Sequence, residues 1–323
     1  MNILTFFFMF LIKCKMNNIF KFLRFSLFWI PLLVFDFKND IYASEKRILQ
    51  VCVIVDEEFI SVQNWKEIIN KSFNKVNSFY SGNFGLLFHI NEFKTLTSNN
   101  SILSINEMFV DMKDRVECTD SEIGVIYIGQ VIKGSGISAT LSDRLMIVDN
   151  KLSLHEDSSI ILAHELAHLF GAWHNKKKNY LMNDSGFAGF NLDPGTKTVI
   201  KFMSNRDFNK HGADLNENIT KKLTTIFQRY KTIDVINPLS RVYIDRAIYL
   251  KEKGKISKAI KLLVKSKNLS GRWEKPRMLL AESYFINKDY ENAYMEYNLA
   301  RFFGAKRNEK LEKYFINSDS YQK

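Results

Sequence analysis

The chain has 323 residues, 46% hydrophobic and 25% charged, a balance that fits an ordinary globular protein and excludes a disordered one. Its length accommodates a catalytic-sized core plus a second module, and its three cysteines exclude a cystine-rich scaffold. The net charge of +11 is uneven: 22 Lys and Arg face 23 Asp and Glu over 44–239, whereas 19 face 10 over 240–323. The basic excess therefore sits in the tail, where it forms a solvated helical surface or meets an acidic partner, an anionic membrane surface or nucleic acid. No nucleic-acid motif accompanies it.

Residues 1–43 read as a leader. Apolar runs at 3–12 and 25–35 flank Lys13, Lys15, Lys21 and Arg24. Read from Met16, the segment has a basic start, an apolar centre and a polar end at Ala43, the layout of a secretory signal. The second run is shorter than the roughly 20 residues of a membrane-spanning helix. An extracytoplasmic, secreted or periplasmic protein is expected; the alternative is membrane anchoring by an uncleaved leader. Cys14 lies in this segment, leaving Cys52 and Cys118 either as one disulfide or as two buried thiols.

Residues 48–56 (ILQVCVIVD) read as a buried strand. An amphipathic helix follows from Ser61, carrying Trp65, Ile68, Ile69, Phe73 and Val76 and stopping near Gly82. Residues 86–96 alternate as a strand, 102–116 as a helix, and 123–130 and 145–149 as further strands. Strands alternating with helices predict an α/β layer with a mostly parallel sheet. Beyond the helix at 158–171, for which Asp157 or Ser158 is the expected N-cap, residues 174–213 read as mostly irregular. Residues 215–230 are helical again.

Residues 164–174 read HELAHLFGAWH. Four residues on a helix is about 40° of rotation, so His164 and His168 project from one face. Imidazoles are good Zn²⁺ ligands, and a catalytic zinc needs three protein ligands with one position left for water. Glu165 places a carboxylate beside that water, where it can take a proton and deliver it to a leaving amine. His174 can join only if the helix stops, and Gly171 supplies the stop, because glycine enters the left-handed region cheaply. A third ligand from a later Glu has little support, since no Glu lies between Glu165 and Glu217. His89, His155 and His211 fit no ligand spacing.

These residues match H-E-x-x-H-x-x-G-x-x-H, so that the stretch from about 46 to 235 resembles the metzincin clan of zinc metallopeptidases. The resemblance implies one catalytic zinc on His164, His168 and His174, with Glu165 as the base. It also implies a Met turn at Met182 and an antiparallel edge strand lining the substrate cleft, which 134–140 resembles. Asn175 after the third His, and Asp184 in place of a Tyr, depart from the subfamilies and leave that assignment open.

The tail carries a 34-residue repeat. Ala247, Leu250, Ile256, Ala259 and Leu263 recur as Ala281, Tyr284, Tyr290, Ala293 and Tyr297. Period and small residues resemble tetratricopeptide repeats at about 240–273 and 274–307, with a capping helix at 308–318. The expected organisation is thus a leader (1–43), a metzincin-like α/β zinc peptidase domain (44–236) and an all-α repeat module (237–323). The expected activity is an exported zinc endopeptidase acting on peptide or protein substrates, with partners chosen by the basic tail. The alternative is a non-catalytic, repeat-containing binding protein whose zinc site is structural or inactive.

Overall fold

A computed structural model describes residues 46–149, 158–176, 178–183, 189–230 and 236–316. The leader, His155, Asp157 and Asp184 lie outside the described residues.

β1 (Arg47–Asp56) is the centre of the sheet's logic. Its β-branched residues leave it buried on both faces, as a central parallel strand must be. It pairs in parallel with β2 (Leu86–Leu96) and β3 (Ile123–Ile128), β3 pairs in parallel with β5 (Arg144–Val148), and β4 (Gly136–Ser138) runs antiparallel on β5. The order is β2-β1-β3-β5-β4. The mostly parallel sheet expected from the sequence is present, and 134–140 supplies its antiparallel edge.

The period-2 alternation sorts side chains between two apolar clusters. Leu49, Val51, Val53 and Val55 of β1 share one face with Val125, Tyr127, Leu145 and Ile147. Two helices cover that face: α2 (Trp65–Phe84) and α4 (Ser158–Leu169). Cys52, Ile54, Ile126, Ile128 and Met146 point to the other, covered by α3 (Ile105–Met112). Cys52 is disulfide-bonded to Cys118 with Cα atoms 5.9 Å apart; closing a 66-residue separation stabilises the fold by about 4 kcal/mol in the chain-entropy account.

Several boundaries differ from expectation. The short helix α1 (Glu57–Ile60) intervenes after β1, capped by Asp56. Ser61 therefore ends that turn rather than opening the next helix, and α2 starts at Trp65 and ends at Gly85, whose φ of 68° is left-handed. The stretch 174–213 is less irregular than it reads, because it contains α5 (Pro194–Met203). Asp193 caps α5 by accepting from the Gly195 and Thr196 amides, and Pro194 occupies its first turn. The Asp-Pro start was the available signal; the surrounding Asn, Gly and Lys obscured it. α6 (Glu217–Tyr230) closes this part of the chain.

Helices α7 (Pro238–Glu252) and α8 (Ile256–Leu269) pack together, as do α9 (Glu274–Ile286) and α10 (Tyr290–Phe302), and α11 (Glu309–Ile316) follows. The repeat positions Ala247, Ala259, Ala281 and Ala293 are all buried where helices meet. α7 also faces the other way: Leu239, Val242 and Tyr243 belong to the same apolar cluster as Leu223, Phe227 and Trp173. No helix among the described residues is long and apolar enough to cross a membrane.

Candidate metal centre

α4 is buried almost all round, with Ser159 and every residue from Ile161 to Leu169 enclosed. A helix apolar on every side is a central one, which makes the polar residues on it conspicuous. His164, Glu165 and His168 are 3%, 4% and 7% exposed.

The helix ends as its glycine requires. Gly171 has φ of 92°, and its amide donates to the His168 carbonyl while Ala172 N–H donates to Ala167 O. Leu141 N–H also donates to His168 O, and the buried Arg206 guanidinium donates to the carbonyls of Leu169 and Leu141. The orphaned carbonyls of the last turn are thereby satisfied, and the chain is turned back to bring His174 over the helix. Burial pulls the Arg206 pKa down to about 10, which leaves it cationic at neutral pH.

The three histidines converge. His174 Nε2 lies 3.0 Å from His164 Nε2 and 3.0 Å from His168 Nε2. His164 Nδ1 is 2.6 Å from the Leu181 carbonyl, and His168 Nδ1 is 2.8 Å from the Ala172 carbonyl. A carbonyl only accepts, so both Nδ1 atoms carry the hydrogen and both Nε2 atoms present lone pairs. His174 Nε2 holds at most one hydrogen and can satisfy one of those lone pairs, not both. Three ring nitrogens facing one another with too few protons are the donor set of a cation, and the backbone bonds behind them fix ring orientation as outer partners of metal ligands do. Burial also lowers the His164 pKa to about 4 and that of His168 well below the usual range, so both are neutral, the form that binds metal. The residues fit a zinc ion.

Glu165, one residue on, lies against the edge strand. The Ser138 hydroxyl donates to its Oε2 at 2.6 Å and approaches its backbone carbonyl at 3.2 Å. Burial pushes the Glu165 carboxyl up to about 8, opposed by the Ser138 hydrogen bond. Gly136 is obligatory here: a Cβ would lie 2.8 Å from Glu165 Oε1 and 2.7 Å from Ile161 Cγ2. β4 can therefore approach α4 this closely only because position 136 has no side chain.

Met182 is fully buried in the turn 180–183, closed by Asn183 N–H donating to Tyr180 O. Its carbonyl accepts the Asn175 amide at 2.7 Å, and its neighbour Leu181 supplies the carbonyl behind His164. His89 is exposed on β2, and the His211 ring accepts the Ala213 amide in a capping role; neither joins the cluster. Sequence reasoning missed Ser138, Gly136 and Arg206, whose roles come from contacts between segments remote in the chain.

The fold and site together define a mixed α/β domain with appended helices, carrying a three-histidine cluster able to hold a metal ion. No family model matches the sequence, and no curated protein matches it. Among solved structures the chain is similar to three. In a chaperone–substrate complex, TM-score 0.39 and 12% identity, the match covers 49% of this chain and 34% of the other. For archaemetzincin from Methanopyrus kandleri, TM-score 0.38 and 13% identity, it covers 49% and 96%. For metalloproteinase-II from Bacteroides fragilis, TM-score 0.36 and 16% identity, it covers 50% and 55%. The chain thus spans about a third of the first of these and about half of the third.

Proposed function

We propose that this chain is a zinc-dependent endopeptidase of the metzincin type. The observation that carries the reading is the convergence of His164, His168 and His174 with two ring tautomers set by backbone carbonyls. When bound, zinc supplies Lewis acidity at that point. Glu165, held by Ser138 at the edge of the sheet, takes a proton from the attacking water and passes it to the leaving amine. The buried Met182 turn supports the reading by fixing the carbonyl behind His164.

Export from the cytoplasm is part of the same proposal, supported by the leader-like composition of residues 1–43 and by the Cys52–Cys118 disulfide, a bond of oxidising compartments. The helix pairs at 238–302 act as tetratricopeptide-like repeats that select a protein partner, supported by the burial of the repeated small residues and by the tail's excess of basic side chains. The test is cleavage of a peptide library by the full chain, with and without a zinc chelator, alongside Glu165→Gln. Zinc-dependent cleavage reduced about 10²–10⁴-fold in the variant is expected. A zinc-loaded parent that cleaves nothing would favour the non-catalytic binding protein.

A further inference from the structure

At the C-terminal end of β1, three consecutive carboxylates, Asp56, Glu57 and Glu58, bring one oxygen each to within 4.8 Å of one another. Among the described residues no Lys or Arg pairs with them. Asp56 is completely buried. Its Oδ1 accepts the Phe59 amide at 2.8 Å and the Gly129 amide at 2.9 Å, while its Oδ2 is buried without a hydrogen-bond partner among the described residues. A carboxylate oxygen left this way is costly unless something cationic meets it.

The surroundings are oxygen-rich and short of hydrogens. Ser98 comes in from the segment after β2, its amide donating to Glu57 Oε2 at 2.8 Å. Its hydroxyl has four acceptors in reach: Asn100 Oδ1 at 3.1 Å, Glu58 Oε2 at 3.2 Å, Glu57 Oε1 at 3.4 Å and Gln130 Oε1 at 3.4 Å. One hydroxyl has one hydrogen and serves one of the four. Gln130 cannot help by flipping its amide, because its Nε2 is committed to the carbonyls of Ile102 at 2.8 Å and Asn100 at 3.3 Å. Its carbonyl oxygen is therefore fixed toward the carboxylates.

We propose that Asp56, Glu57, Glu58, Ser98, Asn100 and Gln130 form a second metal site, for a hard divalent cation of the calcium type. Calcium takes 6–8 oxygen ligands at about 2.3–2.6 Å, so oxygens on opposite sides of the ion lie about 5 Å apart, in line with the spread of these carboxylates. No nitrogen or sulfur ligand contributes, which separates the site from the three-histidine cluster in metal preference. A bound ion ties the ends of β1 and β3 to the segment after β2.

The site is independent of the peptidase reading, and its test does not use cleavage. The full chain, stripped of metals and reloaded with zinc, is titrated with CaCl₂ and, separately, MgCl₂ in a calorimeter, and its Tm is followed at each step. One calcium per chain and a raised Tm are expected. Glu58→Gln and Glu57→Gln should each weaken calcium uptake at least about 10-fold while zinc content stays constant. Should Glu58→Gln fail to fold, the exposed Glu57 position gives the same reading, because its substitution leaves the Asp56 cap intact. Absence of calcium uptake in the parent, or uptake undiminished in the folded variants, overturns the proposal.

Discussion

The histidine helix α4 and the tail helices α7–α10 draw on the same apolar and small residues, yet they are held by opposite means. α4 takes its surroundings from far along the chain: Ser138 on the edge strand, the carbonyl of Leu181 behind His164, Arg206 at its C-terminus. The tail helices are held largely by one another, through Ala247 and Ala259, Ala281 and Ala293, and by ion pairs such as Lys251–Glu282 and Arg277–Glu296, with α7 also packing on the larger core. A site that must place several groups around one point needs the first kind of support, because each group can be fixed from a different direction. Helices packed on their neighbours in the tail need only the second. Changes near α4 should therefore alter chemistry at modest cost in stability, and changes in the tail the reverse.

The largest effect expected is from His174→Ala. It removes the one histidine of the three-histidine cluster not carried by α4, and both zinc uptake, measured by elemental analysis, and peptide cleavage should be lost while the fold persists in circular dichroism. A variant retaining both would break the ligand assignment.

Two truncations separate the role of α7 from that of the rest of the tail. Ending the chain at Asn237 removes α7, and with it the buried Leu239, Val242 and Tyr243, at about 1.5–3 kcal/mol for each large apolar side chain. Such a protein should aggregate or melt well below the parent. Ending it at Gly271 keeps α7 and α8 and should leave zinc content and cleavage of a short peptide near those of the full chain, while discrimination among protein substrates falls. Equal behaviour of the two truncations would show that α7 is a passive part of the tail.

Within the tail, Leu263→Ala empties a position 2% exposed and should cost about 2–5 kcal/mol. This should be read as a lower Tm with kcat on a short peptide unchanged; a parallel fall in kcat would show that the tail builds the site.

Ser138→Ala is the smallest and most specific change. It deletes the hydroxyl donated to Glu165, a hydrogen bond worth about 1.5–3 kcal/mol once that carboxyl is ionised. The fall should be about 10-fold or more in kcat with KM little changed, and Ser138→Thr should recover most of it. A shift in KM alone would mean that Ser138 contacts substrate and does not orient the carboxylate.

Local pattern carried a large part of this molecule. The alternation of 86–96, the β-branched run before Asp56 and the helical spacing from Trp65 each encode an element without reference to the rest of the chain; both strands fall close to their expected limits, while the helix starts at Trp65 rather than at Ser61. His164, Glu165 and His168 are legible for the same reason, because a helix converts a spacing of four into a shared face. Gly171 announced a stop that the backbone makes with a positive φ. Of the positions in the 34-residue recurrence, the four alanines with Leu250, Leu263 and Tyr297 are buried, while Ile256, Tyr284 and Tyr290 are partly so.

Where two remote segments must meet, spacing is silent. Cys52 and Cys118 could be paired or separate until the sheet set their Cα atoms 5.9 Å apart. Ser138 reads as an ordinary loop serine until the antiparallel β4 lies over α4, and Gly136 shows its necessity only against Glu165 and Ile161. Asp56, Glu57 and Glu58 look like a solvated acidic end to a strand; the approach of Ser98 and Gln130 makes them an oxygen cage. The sequence by itself determined the elements, the metal-ligand spacing and the tail's period, because these depend on residues within a turn or a repeat of one another. The tertiary structure alone decided which side chains face the histidine helix and the acidic cluster, because hydrogen bonds and burial there depend on strand order, and strand order is a property of the whole sheet.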